Sequence, residues 1–344
     1  MPSLRTGRLA AAIRSAVLPG LLVCLSFTGA ARAQEACQAG ASLMADAEPA
    51  LIERIEGEAA GVPNGEGRLF RIERDERPAS FLFGTMHLSD PRVVALTAEA
   101  ESAFAGARTL VIETTDLTDE SRLAGLLLSR PDLTLLPPGT ALEDLLPAER
   151  RAGLAAALEA QGVPAHSVTT LQPWFVTLAL VAPPCEAQRS AAGETILDLR
   201  LAERASEDGK ALVGLESAEE QMQALAALPQ DLQALNLLAT LDMIDRLPDL
   251  FETMIDLYLQ GRIGAIRPAL EGLAETRSDE RTAAAYAAFE DRVILSRNRT
   301  MAERLAPTIE AGGVFVAVGA LHLPGEEGLV ELLRAQGWRV SRAD

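Results

Sequence analysis

The chain has 344 residues, a formal net charge of −18 at pH 7 and 48% hydrophobic residues. A strongly acidic protein is repelled by the phosphate backbone, so this charge argues against a nucleic-acid partner. The length and apolar content are sufficient to bury one large core or two closely associated lobes.

The first 33 residues are typical of a secretory signal peptide. Arginines precede an apolar stretch at about residues 15–29, and the tripeptide at 31–33 fits the small-x-small cleavage pattern. That stretch is interrupted and shorter than the ~18 apolar residues of a membrane span. We therefore predict cleavage before Gln34, no stable membrane span afterwards, and a periplasmic or secreted mature protein.

Cleavage would leave two cysteines, Cys37 and Cys185. An even number of cysteines in an oxidising compartment predicts one disulfide between them. Two unpaired thiols are the alternative.

Predicted strands and helices alternate along the chain. Residues 68–72 and 80–84 are predicted strands around a turn, and they are followed by a helix at 95–107 and strands at 109–112, 211–215, 313–318 and 338–340. Ala- and Leu-rich helical segments fill about 119–205 and 218–306, and a helix is predicted at 326–336. Strands separated by helices indicate a single α/β domain over 34–344, with a mainly parallel central sheet and large helical insertions.

Each of the four central strands ends at a polar residue: His87, Glu113, Glu216 or His322. The two histidines occupy the same phrase, Gly-x-x-His-Leu, at the end of an apolar run. Ligands of parallel sheets bind beyond the carboxyl ends of the strands, so the four side chains are expected to converge on one site.

Two imidazoles and two carboxylates are suitable ligands for a divalent transition metal such as manganese, cobalt or zinc. We predict His87, Glu113, Glu216 and His322 as metal ligands, with a remaining carboxylate acting as general base. In the alternative interpretation, the glutamates cap helices or pair with arginines, and the histidines are ordinary loop residues. A serine hydrolase or nucleotide enzyme is not indicated, because neither a Gly-x-Ser-x-Gly elbow nor a phosphate-binding loop is present.

Several short phrases along the chain resemble those of the TraB/GumN family, which includes the animal Tiki proteases. They are Phe83-Gly84-Thr85-Met86-His87, Ile112-Glu113, Gly214-Leu215-Glu216 with Gln221, Arg297-Asn298, and Gly319-Ala320-Leu321-His322-Leu323-Pro324-Gly325. The resemblance implies an α/β fold related to erythromycin-esterase-like and ChaN-like proteins. It also implies a metal-dependent hydrolase site, because the Tiki members are described as metalloproteases with paired Gly-x-x-His motifs.

The resemblance also places Arg297 near the site as a third catalytic candidate beside Glu113 and Glu216. There it would hold a substrate carboxylate or a developing oxyanion, while a helix-surface position is the alternative. Gln221 would support Glu216 or merely begin a helix. One departure is Gln172, where many relatives have a lysine before the Pro-Trp pair.

Four further residues receive weaker interpretations. Asp198 and Tyr258 are minor site candidates, Trp174 is a core anchor rather than a substrate platform, and His166 is a surface residue after a Gly-Val-Pro turn.

The sequence therefore predicts a periplasmic metal-dependent hydrolase acting on a peptide or another carbonyl substrate. The alternative is a non-catalytic protein that binds a peptide, a metal or haem. A structural role in the cell envelope is a third possibility, in which the polar strand ends have no chemical task.

Overall fold

A computed structural model describes residues 40–273 and 280–344 of the chain. Within them, six strands form one sheet in the order β4-β3-β5-β2-β1-β6. The strands are β1 (Leu69–Glu73), β2 (Ser80–Thr85), β3 (Thr109–Ile112), β4 (Ala211–Gly214), β5 (Val314–Gly319) and β6 (Arg339–Arg342). The predicted signal peptide and Cys37 lie outside the described residues, so the cleavage site and the disulfide with Cys185 stay predictions.

The four strands that carry the predicted site residues are parallel neighbours. β5 pairs in parallel with both β2 and β3, and β3 pairs in parallel with β4. At the other side of the sheet, β1 is antiparallel to both β2 and β6. The predicted α/β fold with a mainly parallel sheet is confirmed, and its antiparallel part is confined to β1 and its two neighbours.

Helices precede the sheet, connect its strands and cover it. Their bounds are α1 (Pro49–Ala60), α2 (Pro91–Val94), α3 (Ala98–Gly106), α4 (Glu120–Ser129), α5 (Ala148–Ala160), α6 (Pro173–Val181), α7 (Pro184–Ala191), α8 (Leu197–Glu207), α9 (Ala218–Ala226), α10 (Gln230–Asp242), α11 (Leu247–Leu259), α12 (Ile263–Leu273), α13 (Glu280–Glu290), α14 (Ser296–Ile309) and α15 (Leu329–Ala335). A π-helical turn, Asp291–Leu295, joins α13 to α14. Among the described residues, no helix combines the length and apolar character needed to cross a membrane.

Both faces of the central strands β2, β3 and β5 are covered, which explains why these strands are nearly continuous apolar runs. On one face, Val316 and Val318 of β5 pack with Leu305 of α14 and residues of α15. On the other face, Phe315 of β5 packs edge-on against Phe104 of α3 and lies in one cluster with residues of α8. The sheet is therefore the middle layer of the fold, and packing on both of its faces holds the strand ends in place.

The structure differs from the predicted elements in two places before β3. Helix α1 was not predicted, although Pro49 at its first position fits a helix start. The helix predicted at 95–107 begins instead at Ala98, because the Thr97 side chain caps α3 by accepting from the Ala100 N–H. The short α2 precedes it and is capped by Asp90.

Candidate active site

The carboxyl ends of β2, β3, β4 and β5 bring the predicted residues together. Thr85 lies opposite Gly319 in the register of β2 and β5, and Ile112 lies opposite both Ala317 and Gly214. Glu113 therefore emerges in the middle of the four strand ends, one residue beyond Ile112.

Glu113 is almost fully buried and receives hydrogen bonds from three directions. Its Oε1 accepts from the Gly319 N–H at 2.7 Å, which ties the end of β3 to the end of β5. Its Oε2 accepts from Gln221 Nε2 at 3.1 Å and from Arg297 Nη2 at 2.5 Å. Gln221, predicted beside Glu216, instead supports Glu113.

Arg297 links Glu113 to Glu216 and is the cation that balances them. Its Nε and Nη2 donate to both oxygens of Glu216 at 2.7–3.1 Å, and its Nη1 donates to the Val293 carbonyl of the π-helical turn at 3.2 Å. The Glu216 side chain is only 3% exposed. Since most of the guanidinium hydrogens point at protein oxygens, Arg297 is held in place as a structural and electrostatic partner of the two carboxylates.

His322 is buried, and its hydrogen-bond partners define its tautomer. Asn298 donates through Nδ2 to the Glu327 carbonyl at 2.8 Å, so its Oδ1 faces His322 Nδ1 as an acceptor at 2.6 Å. We therefore assign the hydrogen of neutral His322 to Nδ1 and the lone pair to Nε2. Burial lowers the pKa of His322 to about 4, which keeps the ring neutral at physiological pH.

His87 is more open, with a side chain that is 52% exposed. Its Nδ1 lies 3.0 Å from Asp198 Oδ2, and the other Asp198 oxygen accepts from Thr85 Oγ1 at 2.8 Å. A carboxylate is only an acceptor, so Nδ1 again carries the hydrogen and Nε2 is left for other partners. The charge of Asp198 raises the pKa of His87 well above its ordinary value, against the opposing effect of burial.

Both histidines present Nε2 to the same carboxylate oxygen. His87 Nε2 is 3.7 Å and His322 Nε2 is 3.8 Å from Glu113 Oε1. Burial alone would raise the pKa of Glu113, but His87, His322 and Arg297 hold that pKa well below its ordinary value. Glu113 is therefore ionised at neutral pH and faces both ring nitrogens.

Glycines allow the strand ends to approach so closely. A Cβ on Gly319 would lie 3.1 Å from Glu113 Oε1, 3.4 Å from His322 Cδ2 and 3.5 Å from His87 Nε2. A Cβ on Gly84 would meet the Ala320 backbone at 2.9 Å. The glycine of each Gly-x-x-His phrase is therefore required, because the Cβ of any other residue would not fit at the site.

Several residues outside the main prediction also have clear positions. Tyr258 is buried and donates its hydroxyl to the Gly84 carbonyl at 2.9 Å, directly beneath the first phrase. Burial raises the pKa of Tyr258 to about 12, so the hydroxyl remains a donor. Trp174 donates to the Leu133 carbonyl from a separate apolar cluster, as a core residue would. Gln172 donates to the Asp132 carbonyl there, and His166 is exposed.

Asp198 and Asn298 are the residues whose roles sequence reasoning underestimated. Asp198 was a minor candidate, yet it contacts His87 directly. A usable signal was present, because Asp198 occupies the apolar face of α8 beside Leu197 and Leu201, where an acidic residue needs a partner. Asn298 was named only together with Arg297, and its buried position on α14 gave no sign that it orients His322.

Among the residues that the structure describes, no group of three or more His, Cys, Asp or Glu side chains is arranged as a ready-made metal site. Glu216 has both oxygens engaged by Arg297, whereas His87, His322 and Glu113 direct their remaining donor atoms toward one another. The predicted four-ligand set stays a prediction.

The fold and the site define an α/β protein whose parallel strand ends converge on a buried cluster of histidine, glutamate and arginine. A sequence model of the TraB/PrgY/gumN family matches residues 68–342, and the chain belongs to that family. The chain is also similar to the protein named Metalloprotease TIKI1 of Danio rerio, with 28% identity covering 79% of this chain and 62% of the zebrafish protein. No solved structure matches the chain significantly.

Proposed function

We propose that this protein is a metal-dependent hydrolase that cleaves peptide bonds, with His87, His322 and Glu113 holding a divalent transition metal such as manganese, cobalt or zinc. One observation carries the proposal: both histidines donate Nδ1–H to a protein oxygen while both Nε2 atoms face Glu113 Oε1. Histidines that bind metals are commonly oriented in this way by a hydrogen bond from the other ring nitrogen.

The electrostatics of the cluster favour a cation at this point. The raised pKa of His87 places a proton on its Nε2 beside Glu113 Oε1, and a divalent ion would take the place of that proton between the carboxylate and the two ring nitrogens. Two donors that each lie ~2.1 Å from a tetrahedral metal are about 3.4 Å apart, close to the 3.7 and 3.8 Å separations of the two Nε2 atoms from Oε1. The donor types and these two separations therefore support a metal beside Glu113, while both oxygens of Glu216 accept hydrogen bonds from Arg297.

The protein's own groups would have distinct tasks. A bound divalent ion would supply Lewis-acid polarisation of a carbonyl and activation of water. Asp198 orients the His87 ring, and Asn298 orients the His322 ring. Arg297 offsets part of the negative charge of Glu113 and Glu216. Because His87 is half-exposed and its partners are buried, a substrate would approach the cluster from the His87 side.

The family and the relative named as a metalloprotease support a hydrolase, and a peptide substrate follows from that name alone. The chain spans less than two thirds of the zebrafish protein. A periplasmic or secreted location is proposed from the signal-like residues 1–33, and fractionation of cells that produce the full chain would test it.

The first test measures the metal content of untagged protein by mass spectrometry. We expect about one ion per chain in the wild type and in His166→Ala, which alters an exposed histidine, and loss of the ion in His87→Ala/His322→Ala. Chelator-sensitive cleavage of a peptide library should follow the same pattern. A wild type that takes up no manganese, cobalt or zinc on reconstitution would refute the metal assignment. Metal binding without cleavage would instead favour the binding-protein alternative.

A further inference from the structure

The backbone that carries His87 is held by a buried network beyond the site. Glu186 of α7 accepts hydrogen bonds through one oxygen, Oε2, from both the Ser89 N–H at 2.9 Å and the Ser89 hydroxyl at 2.6 Å. Arg189, one turn further along α7, donates to the Ser89 hydroxyl at 3.1 Å and pairs with the other oxygen of Glu186. Ser89 is 3% exposed and the Glu186 side chain 12%.

We propose that Glu186 is a positioning residue for His87, so that the helical insertion sets the place of this histidine in the site. The inference rests on the proposed function for its catalytic consequence but not for its structural one. His87 lies two residues before Ser89, on the loop between β2 and α2, and therefore moves with it.

The far end of the same loop is fixed independently. Asp90 caps α2 and pairs with Arg92, which also forms a salt bridge with Glu252 of α11. Leu88 and Val93 are buried in the apolar cluster formed with α11 and α12. The loop is thus attached to the second helical block at Asp90 and to the insertion at Ser89, with His87 exposed between β2 and these attachments.

Two consecutive helices of the insertion contact different parts of this loop. Asp198 on α8 contacts the His87 ring, and Glu186 on α7 contacts the backbone and hydroxyl of Ser89. Removing the Glu186 carboxylate would leave the N–H and hydroxyl of Ser89 buried without their acceptor, beside an Arg189 that has lost its counter-charge. The loop is then expected to rearrange, which carries His87 Nε2 away from Glu113.

The chain offers a simple readout, because it contains only three histidines. A two-dimensional NMR spectrum of the imidazole C–H groups can be assigned with His87→Gln, His166→Gln and His322→Gln. In Glu186→Ala we expect the His87 signal to shift or broaden while the other two stay in place. Glu186→Gln retains an amide oxygen for Ser89 and should restore the His87 signal at least in part.

The matched control is Glu194→Ala, which removes another acidic residue of the insertion, one that pairs with Arg200 at the surface. All three signals should then coincide with those of the wild type. A wild-type His87 signal in folded Glu186→Ala would overturn the proposal. If Glu186→Ala does not fold, Glu186→Asp keeps the counter-charge of Arg189 but shortens the side chain that reaches the Ser89 N–H and hydroxyl, and an unchanged His87 signal in that variant would overturn the proposal equally.

Activity gives a separate measurement. Misplacement of a reacting group by ~1 Å can lower the rate about 100-fold, so peptide cleavage by Glu186→Ala should show a reduced kcat with little change in KM. A wild type without metal or cleavage would refute the hydrolase proposal, while the NMR result would still decide whether Glu186 positions His87.

Discussion

Replacing Arg297 by methionine tests whether this residue balances two buried carboxylates. The substitution keeps an unbranched apolar chain of similar length on α14 but removes the guanidinium. Glu216 would lose the contacts to both of its oxygens, whereas Glu113 would keep the Gly319 N–H and Gln221. Most of the loss of stability in Arg297→Met should therefore arise at Glu216.

The expected loss of stability is large because the three side chains of this ion-pair network are almost fully buried. The side chains of Arg297, Glu113 and Glu216 are 13%, 8% and 3% exposed. Removing one partner of a buried ion pair typically costs about 3–5 kcal/mol, since the remaining charge is left without compensation. We expect Arg297→Met to lower the free energy of unfolding by ~4 kcal/mol, and Arg297→Met/Glu216→Gln to recover ~2 kcal/mol of this by removing the stranded charge.

Urea unfolding followed by circular dichroism measures both values. Arg304→Met is the matched control, because Arg304 lies on the same helix and pairs with Glu220 at the surface, where both side chains are more than 40% exposed. Arg304→Met should lower the free energy of unfolding by about 1 kcal/mol. If Arg297→Met costs no more than this control, or if the double variant is less stable than the single one, the assignment of Arg297 as the balancing cation is incorrect.

Three further changes follow from the same structure. Gly319→Ala should fold yet move the His87 and His322 signals and reduce metal content, because its Cβ would lie 3.1 Å from Glu113 Oε1; an unchanged spectrum would contradict the close packing described here. Tyr258→Phe should cost about 1–2 kcal/mol in urea unfolding by depriving the buried Gly84 carbonyl of its donor, and a neutral effect would argue against that bond. Arg304 holds the pKa of Glu220 at about 2, below its ordinary 4.5, so this carboxylate stabilises the fold above pH 4.5 and the contribution is lost as pH falls toward 2. Glu220→Gln should therefore lower stability at pH 7 by less than about 1 kcal/mol, and the difference from wild type should shrink at pH 3; a constant difference would exclude this linkage.

The convergence of the four strand ends could be predicted from the sequence, because it depends on local patterns. Short apolar runs separated by helices specify parallel strands, and a polar residue directly after each run must appear at the same edge of the sheet. The positions of Glu113 and His322 at this edge follow from this reasoning alone. The structure adds the reason for the glycine in each Gly-x-x-His phrase, because a Cβ would lie 2.9 Å from the Ala320 backbone at Gly84 and 3.1 Å from Glu113 Oε1 at Gly319.

The pairing of charges could not be predicted in the same way. Glu216 was predicted as a metal ligand, with pairing to an arginine as the alternative, and the choice between the two depends on how α14 packs over the sheet. The sequence separation between Glu216 and Arg297 carries no such information. Asp198 illustrates the same limit, because its contact with His87 requires the insertion to return to the end of β2.

The hydrogen bond from the Gly319 N–H to Glu113 has a consequence for genetics. The same carboxylate that faces both histidines also fastens two neighbouring strands, so an allele that alters Glu113 removes a chemical group and a structural tie together. His87 is half-exposed and belongs to a loop, so His87→Ala would remove a proposed metal ligand and leave the tie between β3 and β5 intact. In a cell-based screen, steady-state protein level should fall further for Glu113 alleles than for His87 alleles.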